Sequence, residues 1–260
     1  MSKFNYNHFV LKKISILIAC YNSSKTIKKT ISSLKKQEYK NFEIIVIDGG
    51  SSDNTVNLIK SFKLKNIKII SEQDNGIGDA WNKGLKLCRG DIIGILNSDD
   101  YYEENIFNDI NRSFSKNNKP LIGYGDVILI DSKTKSKKVF KGKIKSRLGL
   151  LNGFGFLHPS VFFNKKALKK IGLFNSKIRI AVDADWLIRA KSLNVSFKKI
   201  PSVTYMLSGG TSFKNRYTGM GEYMDSLARN GYSDFDFLIF YGLRFLGKIK
   251  KIFFSWKLFG

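Results

Sequence analysis

The sequence feature that most constrains the fold is a regular alternation of short apolar segments with amphipathic ones. Four apolar segments, each of a length typical of a buried strand, lie at residues 14–19, 42–47, 67–70 and 91–96. The segments between them, 24–37, 53–62 and 77–88, carry apolar side chains at helical spacing. Strands that alternate with helices in this way pair in parallel. The sequence therefore predicts a mostly parallel, doubly wound α/β sheet up to residue 96.

After Pro120 the alternation stops, and the pattern is typical of a mixed α+β arrangement. Extended segments are predicted at 121–130, 137–145, 156–163 and 195–207, and helices at 165–171 and 182–193. Residues 208–212, SGGTS, are predicted to form a flexible loop. Because no low-complexity linker divides the chain, we predict one domain over residues 1–234, followed by a distinct segment at 235–260.

The chain is strongly basic: 45 Lys and Arg against 21 Asp and Glu give a formal net charge of +24. This excess favours anionic partners such as nucleic acid, anionic lipid or phosphorylated substrates, although the compositional bias of an AT-rich genome explains it equally well. Cys20 and Cys88 are the only cysteines and lack metal-site spacing, so we expect both in the core of a cytoplasmic protein. We expect neither a signal peptide nor a transmembrane helix, because no apolar stretch is long enough.

The segment at 235–260 has the pattern of a basic amphipathic helix. One helical face would carry Leu238, Tyr241, Phe245, Ile249, Ile252 and Trp256, and a neighbouring face Arg244, Lys248 and Lys251. Basic helices with aromatic side chains are typical of proteins that lie on membranes rich in anionic lipid. An ordinary helix packed on the domain is the alternative.

Polar side chains follow each of the four predicted parallel strands. These segments are ACYN at 19–22, DGGSSD at 48–53, SEQDNG at 71–76 and NSDD at 97–100. Any one of them alone would be typical of a turn. Because ligands of parallel α/β sheets bind beyond the carboxyl ends of the strands, four such segments in succession predict a ligand site there.

Several longer segments follow one another in a fixed order: ACYNSSKTIKKTISSL, EIIVIDGGSSDNT, SEQDNGIGDAWNKGL and GDIIGILNSDD, followed by GDVILID, HPSVFF, IGLFN and AVDADWLIRA. This order closely resembles the family 2 glycosyltransferases, particularly the bacterial enzymes that build surface polysaccharides. Together the segments cover residues 12–212. The resemblance implies the GT-A nucleotide-diphospho-sugar transferase fold, with a mostly parallel central sheet flanked by helices. It also implies a donor half at residues 12–120 and an acceptor half at 121–215.

The acidic DXD motif of this family corresponds here to Asn97-Ser98-Asp99, with Asp100 next. A departing diphosphate accumulates negative charge, which a divalent ion stabilises, and hard divalent ions prefer carboxylate oxygens. The resemblance therefore implies Mn²⁺ or Mg²⁺ bound by Asp99. Asn97 stands where the family commonly has Asp and would hydrogen-bond the donor sugar or ribose. Asp100 either supports this site or caps a helix.

The resemblance further implies that the donor nucleotide contacts residues from several strand ends. These are Ala19, Tyr21, Asn22, Asp48, Ser51, Asp79, Asn82, Lys83, Asn97 and Ser98. Asp48 would accept the uracil N3–H, and Tyr21 and Asn22 would flank the base and ribose. Lys83 either helps to neutralise the diphosphate or is a solvated helix residue. The alternative for Asp79 is a favourable charge near a helix N-terminus.

A second acidic group lies in AVDADWLIRA, where Asp183 matches the catalytic base of the family and Val182 replaces the acid before it. An inverting transfer needs a carboxylate that removes the proton of the acceptor hydroxyl, and we expect Asp183 in this role. Asp185 either orients the acceptor or pairs with Arg189 one helical turn later. His158 is implied to line the sugar or acceptor side of the cleft, with a purely structural histidine as the alternative.

The implied activity is that of an inverting, metal-dependent glycosyltransferase of the hexosyltransferase type. It would move a sugar from a nucleotide-diphospho-sugar, with UDP expected, to a lipid-linked or growing glycan of a polysaccharide, O-antigen or capsule. The expected location is the cytoplasmic face of the cell membrane. A sugar nucleotidyltransferase would carry a Gly-rich basic loop after the first strand, where this chain has CYNSSKT. A non-catalytic basic module for membrane or nucleic acid would leave the acidic strand ends without a role, so no nucleic-acid partner is expected.

Overall fold

The computed structural model describes residues 11–239, 241 and 242. Its first part alternates strand and helix as predicted. The elements are β1 (Ile14–Cys20), α1 (Ile27–Lys35), β2 (Phe42–Asp48), α2 (Thr55–Ser61), β3 (Ile67–Ser71), α3 (Ile77–Leu85) and β4 (Ile92–Asn97). β1 pairs in parallel with β2 and with β4, and β2 pairs in parallel with β3. The doubly wound sheet predicted for this region is therefore confirmed.

The second part extends the same sheet with mixed pairing. Its elements are β5 (Tyr101–Tyr102), α4 (Ile106–Ser115), β6 (Leu121–Ile130), β7 (Lys137–Phe140), α5 (Arg147–Leu150), a 3₁₀ helix (His158–Ser160), β8 (Val161–Asn164), α6 (Lys165–Ile171), α7 (Val182–Ser192), β9 (Ser196–Leu207), α8 (Thr211–Lys214) and α9 (Arg216–Arg229). The strand order is β3-β2-β1-β4-β8-β6-β9-β5, and β7 pairs with β6. β8 runs antiparallel to β4 and β6, whereas β9 runs parallel to β6.

Three predicted boundaries in this part were wrong. The extended segment at 156–163 starts only at Val161, because residues 158–160 form the 3₁₀ helix. Pro159 explains the difference, since it has no N–H for a strand ladder and its fixed φ suits the first turn of a helix. The strand at 137–145 ends at Phe140, and Thr211 begins α8 rather than lying in an open loop.

The sheet separates two apolar layers, because successive side chains of a strand point to opposite faces. On one face Leu17 of β1 packs in a cluster with residues of α3, α6 and α7. On the other face Ile16 and Ile18 pack with residues of α1, α2 and α4. Both cysteines are free: Cys20 is buried and Cys88 is partly buried against the first cluster, which agrees with the expected core positions.

The helices after β9 belong to a smaller cluster, in which Leu227 of α9 packs with Leu150 and Ile188. Further helical residues lie at 234–239 and 241–242. Leu238 and Tyr241 of the predicted stripe are exposed there. The other residues of the stripe and its basic face, Arg244, Phe245, Lys248, Ile249, Lys251, Ile252 and Trp256, lie outside the described residues. Within the described ranges, no helix has the length and apolar character needed to cross a bilayer.

Candidate active site

The pairing register brings the four predicted strand ends to one edge of the sheet, which we call the strand-end edge. Ala19 lies beside Asn97, Cys20 beside Asp48, and Asp48 beside Ser71. This arrangement follows from parallel pairing, since the carboxyl ends of neighbouring strands then coincide. The polar residues predicted to share a site are therefore neighbours in space.

The loops after β1 and β2 are joined by hydrogen bonds around Asn22. Asn22 adopts a left-handed conformation with φ 46°, which asparagine tolerates better than most residues. Its side-chain oxygen accepts from the N–H of Ser52 at 3.0 Å, and its own N–H donates to Oγ of Ser51 at 2.8 Å. Tyr21 before it is 64% exposed. The first two strand ends thus form one connected surface with an exposed aromatic ring.

Asp48 is fully buried below this surface. Its carboxylate accepts hydrogen bonds from the N–H and Oγ of Ser51, at 2.9 and 2.5 Å, and from Oγ of Ser71 at 2.6 Å. Burial alone would raise the pKa of Asp48, but these hydrogen bonds outweigh it and hold the pKa below its ordinary value. Asp48 therefore shapes the loop that carries Ser51 and links it to Ser71 at the end of β3.

Asp74, which the sequence analysis did not select, places a partly exposed carboxylate next to this surface. A Cβ at Gly49 would be 2.6 Å from Oδ2 of Asp74 and 3.5 Å from the ring of Tyr21. Oδ1 of Asp74 accepts from the N–H of Gly76 at 2.8 Å. Gly49 thus permits a close approach of the third strand end to the second. The signal was present in the segment SEQDNG, but five polar residues in a row gave no means of choosing Asp74.

The predicted donor residues of α3 are held by neighbouring groups. Nζ of Lys83 lies 3.0 Å from Oε1 of Glu72 and 3.5 Å from Oδ2 of Asp79. The hydrogen bond to Glu72 raises the pKa of Lys83, so the ammonium is charged at neutral pH. Asn82 lies deeper, where its side chain donates to and accepts from the backbone of Phe174, at 2.9 Å each. Lys83 and Asp79 therefore lie at the third strand end, whereas Asn82 joins α3 to the segment before α7.

The turn after β4 is fixed from two sides. Oγ1 of Thr30 in α1 donates to the carbonyl oxygens of Ser98 and Asp100, at 2.9 and 2.8 Å. The buried carboxylate of Asp100 accepts from Nδ2 of Asn97 and from the N–H of Leu207, at 3.2 Å each. Asp100 therefore connects the turn to the end of β9. Its role in this structure is to stabilise the strand-end edge through these hydrogen bonds.

Asp99 is half-buried and lies beside the loop that follows β9, since a Cβ at Gly210 would be 3.7 Å from its Oδ2. Burial raises the pKa of Asp99, and burial together with the Asp99 charge raises the pKa of Asp100. Oδ1 of Asn97 is buried and has no hydrogen-bond partner among the described residues. The turn thus offers oxygen atoms whose burial is unfavourable without a cation or donor.

These oxygens fit a hard divalent cation. The described residues contain no group of three or more His, Cys, Asp or Glu side chains arranged to hold a metal. A small protein donor set is typical of Mg²⁺ and Mn²⁺ sites that complete their coordination with substrate phosphate oxygens and water. Asp99, with Asn97 beside it, is therefore compatible with a cation that arrives together with a diphosphate.

Asp183 lies in the first turn of α7 and lines a pocket with His158, Val161, Phe163, Phe174, Trp186 and Leu187. The imidazole of His158 stacks on Trp81, with ring centroids 4.7 Å apart. Burial lowers the pKa of His158 more than the charge of Asp183 raises it, so this imidazole is neutral at neutral pH. Nε2 of His158 and Nε1 of Trp81 are buried without partners among the described residues. A carboxylate thus faces a mostly apolar pocket.

Asp185 points away from this pocket towards α9. It is buried and accepts from Nε of Arg189 at 3.0 Å, Oγ of Ser226 at 2.8 Å and Nη2 of Arg229 at 3.2 Å. Of the two alternatives for Asp185, the ion pair with Arg189 is the one observed.

Glu222 of α9, which the sequence analysis did not select, accepts from three backbone N–H groups just before α7.

Comparison with known protein families gives a match that covers residues 15–172, to the family described as glycosyl transferase family 2. The chain therefore belongs to glycosyl transferase family 2. The match contains all four ends of β1–β4, including Asp48 and Asp99, and ends before α7. The polar strand-end edge is thus part of the family's shared region, whereas Asp183 and the contacts of α9 lie beyond it.

This family 2 chain has relatives among longer bacterial proteins. It is 34% identical over 185 residues to an uncharacterized glycosyltransferase of Rickettsia typhi, covering 66% of this chain and 56% of that protein. It is 32% identical over 180 residues to the poly-beta-1,6-N-acetyl-D-glucosamine synthase of Staphylococcus epidermidis, covering 65% of this chain and 43% of the synthase. The chain thus spans about half of the length of these relatives.

Solved structures show the same fold. Residues 1–349 of S. aureus TarS in complex with UDP-GlcNAc superpose with a TM-score of 0.65 at 21% identity, covering 84% of this chain and 66% of that 1–349 chain. The mannosyltransferase PcManGT of Pyrobaculum calidifontis, in complex with GDP-Man and Mn²⁺, gives a TM-score of 0.63 at 15% identity, covering 87% and 67%. The predicted glycosyltransferase fold and family are both confirmed.

Proposed function

We propose that this protein is an inverting, metal-dependent glycosyltransferase that uses a UDP-sugar donor and acts in the synthesis of a bacterial surface polysaccharide. The observation that carries the proposal is the arrangement at the strand-end edge. There the half-buried Asp99 and the unpartnered oxygen of Asn97 lie at the end of β4, in register with the ends of β1–β3. The relatives support a role in polysaccharide synthesis, and the TarS complex with UDP-GlcNAc supports a UDP-sugar.

The donor nucleotide would lie across the ends of β1, β2 and β3. Its base would stack on Tyr21, above Gly49, with the Asp74 carboxylate as acceptor for a base N–H. Asp48, whose carboxylate accepts from Ser51 and Ser71, would hold Ser51 and the loop in place for the ribose. Lys83, charged and fixed by Glu72 and Asp79, would contribute positive charge near the diphosphate.

The divalent cation, Mn²⁺ or Mg²⁺, would be held by Asp99 with Asn97 beside it, and would stabilise the negative charge of the departing diphosphate. The Mn²⁺ in the mannosyltransferase complex supports this assignment. Gly210, just before α8, places the loop after β9 next to this carboxylate, since a Cβ there would be 3.7 Å from Oδ2 of Asp99. Asp100 keeps the turn and β9 together, so the geometry of Asp99 depends on it.

The acceptor hydroxyl would enter beside Asp183, which would remove its proton as the oxygen attacks the sugar opposite the leaving diphosphate. One displacement of this kind inverts the configuration at the sugar carbon. His158, neutral and stacked on Trp81, would form the wall of the acceptor pocket and offer its unpartnered Nε2 to a sugar hydroxyl. The acceptor would be a lipid-linked or growing glycan at the cytoplasmic face of the membrane. The exposed apolar residues of the C-terminal region would contact anionic lipid there.

The decisive experiment measures binding of UDP, GDP and dTDP by calorimetry, with and without Mn²⁺, followed by UDP release from UDP-GlcNAc, UDP-glucose and UDP-galactose. We expect binding of UDP that requires Mn²⁺ and is lost in Asp99→Ala. Asp109→Ala is the matched control, because Asp109 lies on α4 in an exposed ion pair with Arg112. Absence of nucleotide binding under every condition would overturn the proposal. Binding equal in Asp99→Ala and wild type would overturn the assignment of the cation site.

A further inference from the structure

The start of the helix that carries Asp183 is held by a carboxylate from another helix. The N–H groups that precede a helix have no partner within it and need an acceptor from elsewhere. Here Oε1 of Glu222 accepts from the N–H of Arg179 at 2.8 Å, and Oε2 accepts from the N–H of Ile180 at 2.8 Å and of Ala181 at 2.9 Å. Burial alone would raise the pKa of Glu222, but these three bonds lower it overall, so the group is ionised at neutral pH.

A second contact between the same two helices lies one turn further along α7. Asp185 accepts from Ser226 and pairs with Arg229, so α9 offers residues 222, 226 and 229 on one helical face. Asp183 lies between the two contacts in sequence, two residues after Ala181 and two before Asp185. The backbone that carries the Asp183 side chain is thus fixed on both sides by α9.

Among the residues that the structure describes, Glu222 is the acid that accepts from the amides at the start of α7. Val182, directly before Asp183, is fully buried in the apolar cluster with Ala80 and Trp81 and offers no polar group. Asp225 of α9 is exposed, and no hydrogen bond to it from the amides of residues 179–181 is seen among the described residues, where Glu222 accepts all three. Glu222 is therefore the α9 acid that meets the amides before α7.

We infer that Glu222 is a positioning residue for Asp183, and that α9 belongs to the catalytic unit of the protein. Glu222 fixes the backbone at residues 179–181, and this sets the direction in which the Asp183 carboxylate enters the acceptor pocket. The inference rests on the proposed function, in which Asp183 is the general base. It goes beyond the family match, which ends at residue 172.

The test compares Glu222→Gln with the matched control Asp225→Asn, which removes the same charge from the same helix. A glutamine keeps one acceptor oxygen but turns an NH₂ group towards backbone N–H donors. Ser226→Ala is the control for stability, because it weakens the contact to Asp185 and leaves Glu222 intact. Each variant is measured for hydrogen exchange of the peptide that contains residues 179–181, for UDP affinity with Mn²⁺, and for hydrolysis of the UDP-sugar that wild type cleaves fastest.

We expect exchange of these amides in Glu222→Gln to be faster by about tenfold or more, because their acceptor is lost. Turnover should fall by about 10- to 100-fold through misplacement of the base, while the affinity for UDP stays within about twofold. Asp225→Asn should match wild type in all three measurements, and Ser226→Ala should lose thermal stability with a smaller loss of turnover.

Two results would overturn the inference. One is an unchanged rate of amide exchange at residues 179–181 in Glu222→Gln. The other is a loss of turnover in Glu222→Gln no greater than in Ser226→Ala, when the two variants have equal thermal stability. A wild type that neither binds UDP nor hydrolyses any of the three sugars would instead overturn the proposed function. The exchange measurement would then still decide whether Glu222 holds the start of α7.

Discussion

The carboxylate of Asp74 lies where a side chain at position 49 would stand, since a Cβ on Gly49 would be 2.6 Å from its Oδ2. No ordinary Cβ contact is that short, so any larger residue at 49 must displace Asp74. The ring of Tyr21 borders the same space. Gly49 thus allows a residue of the third strand end to take part in the surface formed by the first two. The exposed ring of Tyr21 and the partly exposed carboxylate of Asp74 thus come from different loops of one surface.

We predict that Gly49→Ala weakens UDP binding by displacing Asp74. A hydrogen bond from the base to a charged acceptor contributes about 1.5–3 kcal/mol, so Asp74→Ala should raise the Kd of UDP by roughly 10- to 100-fold. Calorimetry with Mn²⁺ measures both variants. The control is Gly221→Ala, which has open space around its new methyl group. If Gly49→Ala acts by displacing Asp74, the double variant of Gly49→Ala and Asp74→Ala should bind UDP no more weakly than Asp74→Ala alone. Additive effects of the two substitutions on the free energy of UDP binding would contradict this prediction.

Asp183→Asn should reduce turnover without reducing donor affinity, because an amide cannot accept the proton of the attacking hydroxyl. Loss of a general base costs about 10²- to 10⁴-fold in rate. The measurement is UDP release at saturating donor, combined with calorimetric affinity for UDP. Asp109→Asn, on the opposite side of the sheet, should leave both unchanged. Turnover within a few-fold of wild type in Asp183→Asn would show that another group takes the proton.

The stability of the protein at acid pH should depend on the hydrogen bonds of Asp48. Its folded-state pKa is lowered from 3.8 by the bonds from Ser51 and Ser71, which outweigh burial. A group of this kind contributes stability that is complete above its unfolded pKa and is lost as pH falls through the folded pKa. Ser71→Ala should therefore cost about 1 kcal/mol at pH 7 and less as the pH falls below about 4.

Urea unfolding of wild type and Ser71→Ala between pH 3 and pH 7 measures this difference. The control is Ser115→Ala, because the hydroxyl of Ser115 donates to an uncharged group, the backbone oxygen of Arg112 in α4. Its effect should not vary with pH. A difference between wild type and Ser71→Ala that stays constant, or grows towards acid pH, would contradict the lowered pKa of Asp48.

The parallel part of the fold was predictable because its information is local. Buried parallel strands are continuous apolar runs, and β1, β2 and β4 are such runs, each followed by polar residues. The position of the site at their carboxyl ends then follows from topology alone. The family resemblance supplied the rest of the site prediction, including Asp99 and Asp183.

What could not be predicted depends on contacts between distant segments. Asp48 ends β2 and Asp74 follows β3. Only the three-dimensional structure shows that Asp48 is hydrogen-bonded by Ser51 and Ser71, whereas Asp74 lies against Gly49. Glu222 is 41 residues along the chain from Ala181, the nearest in sequence of the amides it binds. No periodicity in α9 distinguishes it from the exposed Asp225. Asp48 differs from Asp74, and Glu222 from Asp225, in side-chain direction and burial, which are set by tertiary packing.

The C-terminal region should bind membranes that contain anionic lipid. Phe235 and Leu238 are 67% and 70% exposed, and the net charge of +24 favours a negative surface. We expect co-sedimentation with phosphatidylglycerol vesicles, weaker binding at high salt, and no binding to pure phosphatidylcholine. Phe235→Glu with Leu238→Glu should weaken binding by at least about tenfold, since each apolar side chain contributes about 1.5–3 kcal/mol when buried. Val139→Glu, an exposed apolar site on β7, is the matched control. Equal binding to phosphatidylglycerol and phosphatidylcholine vesicles would contradict a specific membrane contact of this region. So would an equal loss of vesicle binding in the Phe235/Leu238 double variant and in Val139→Glu.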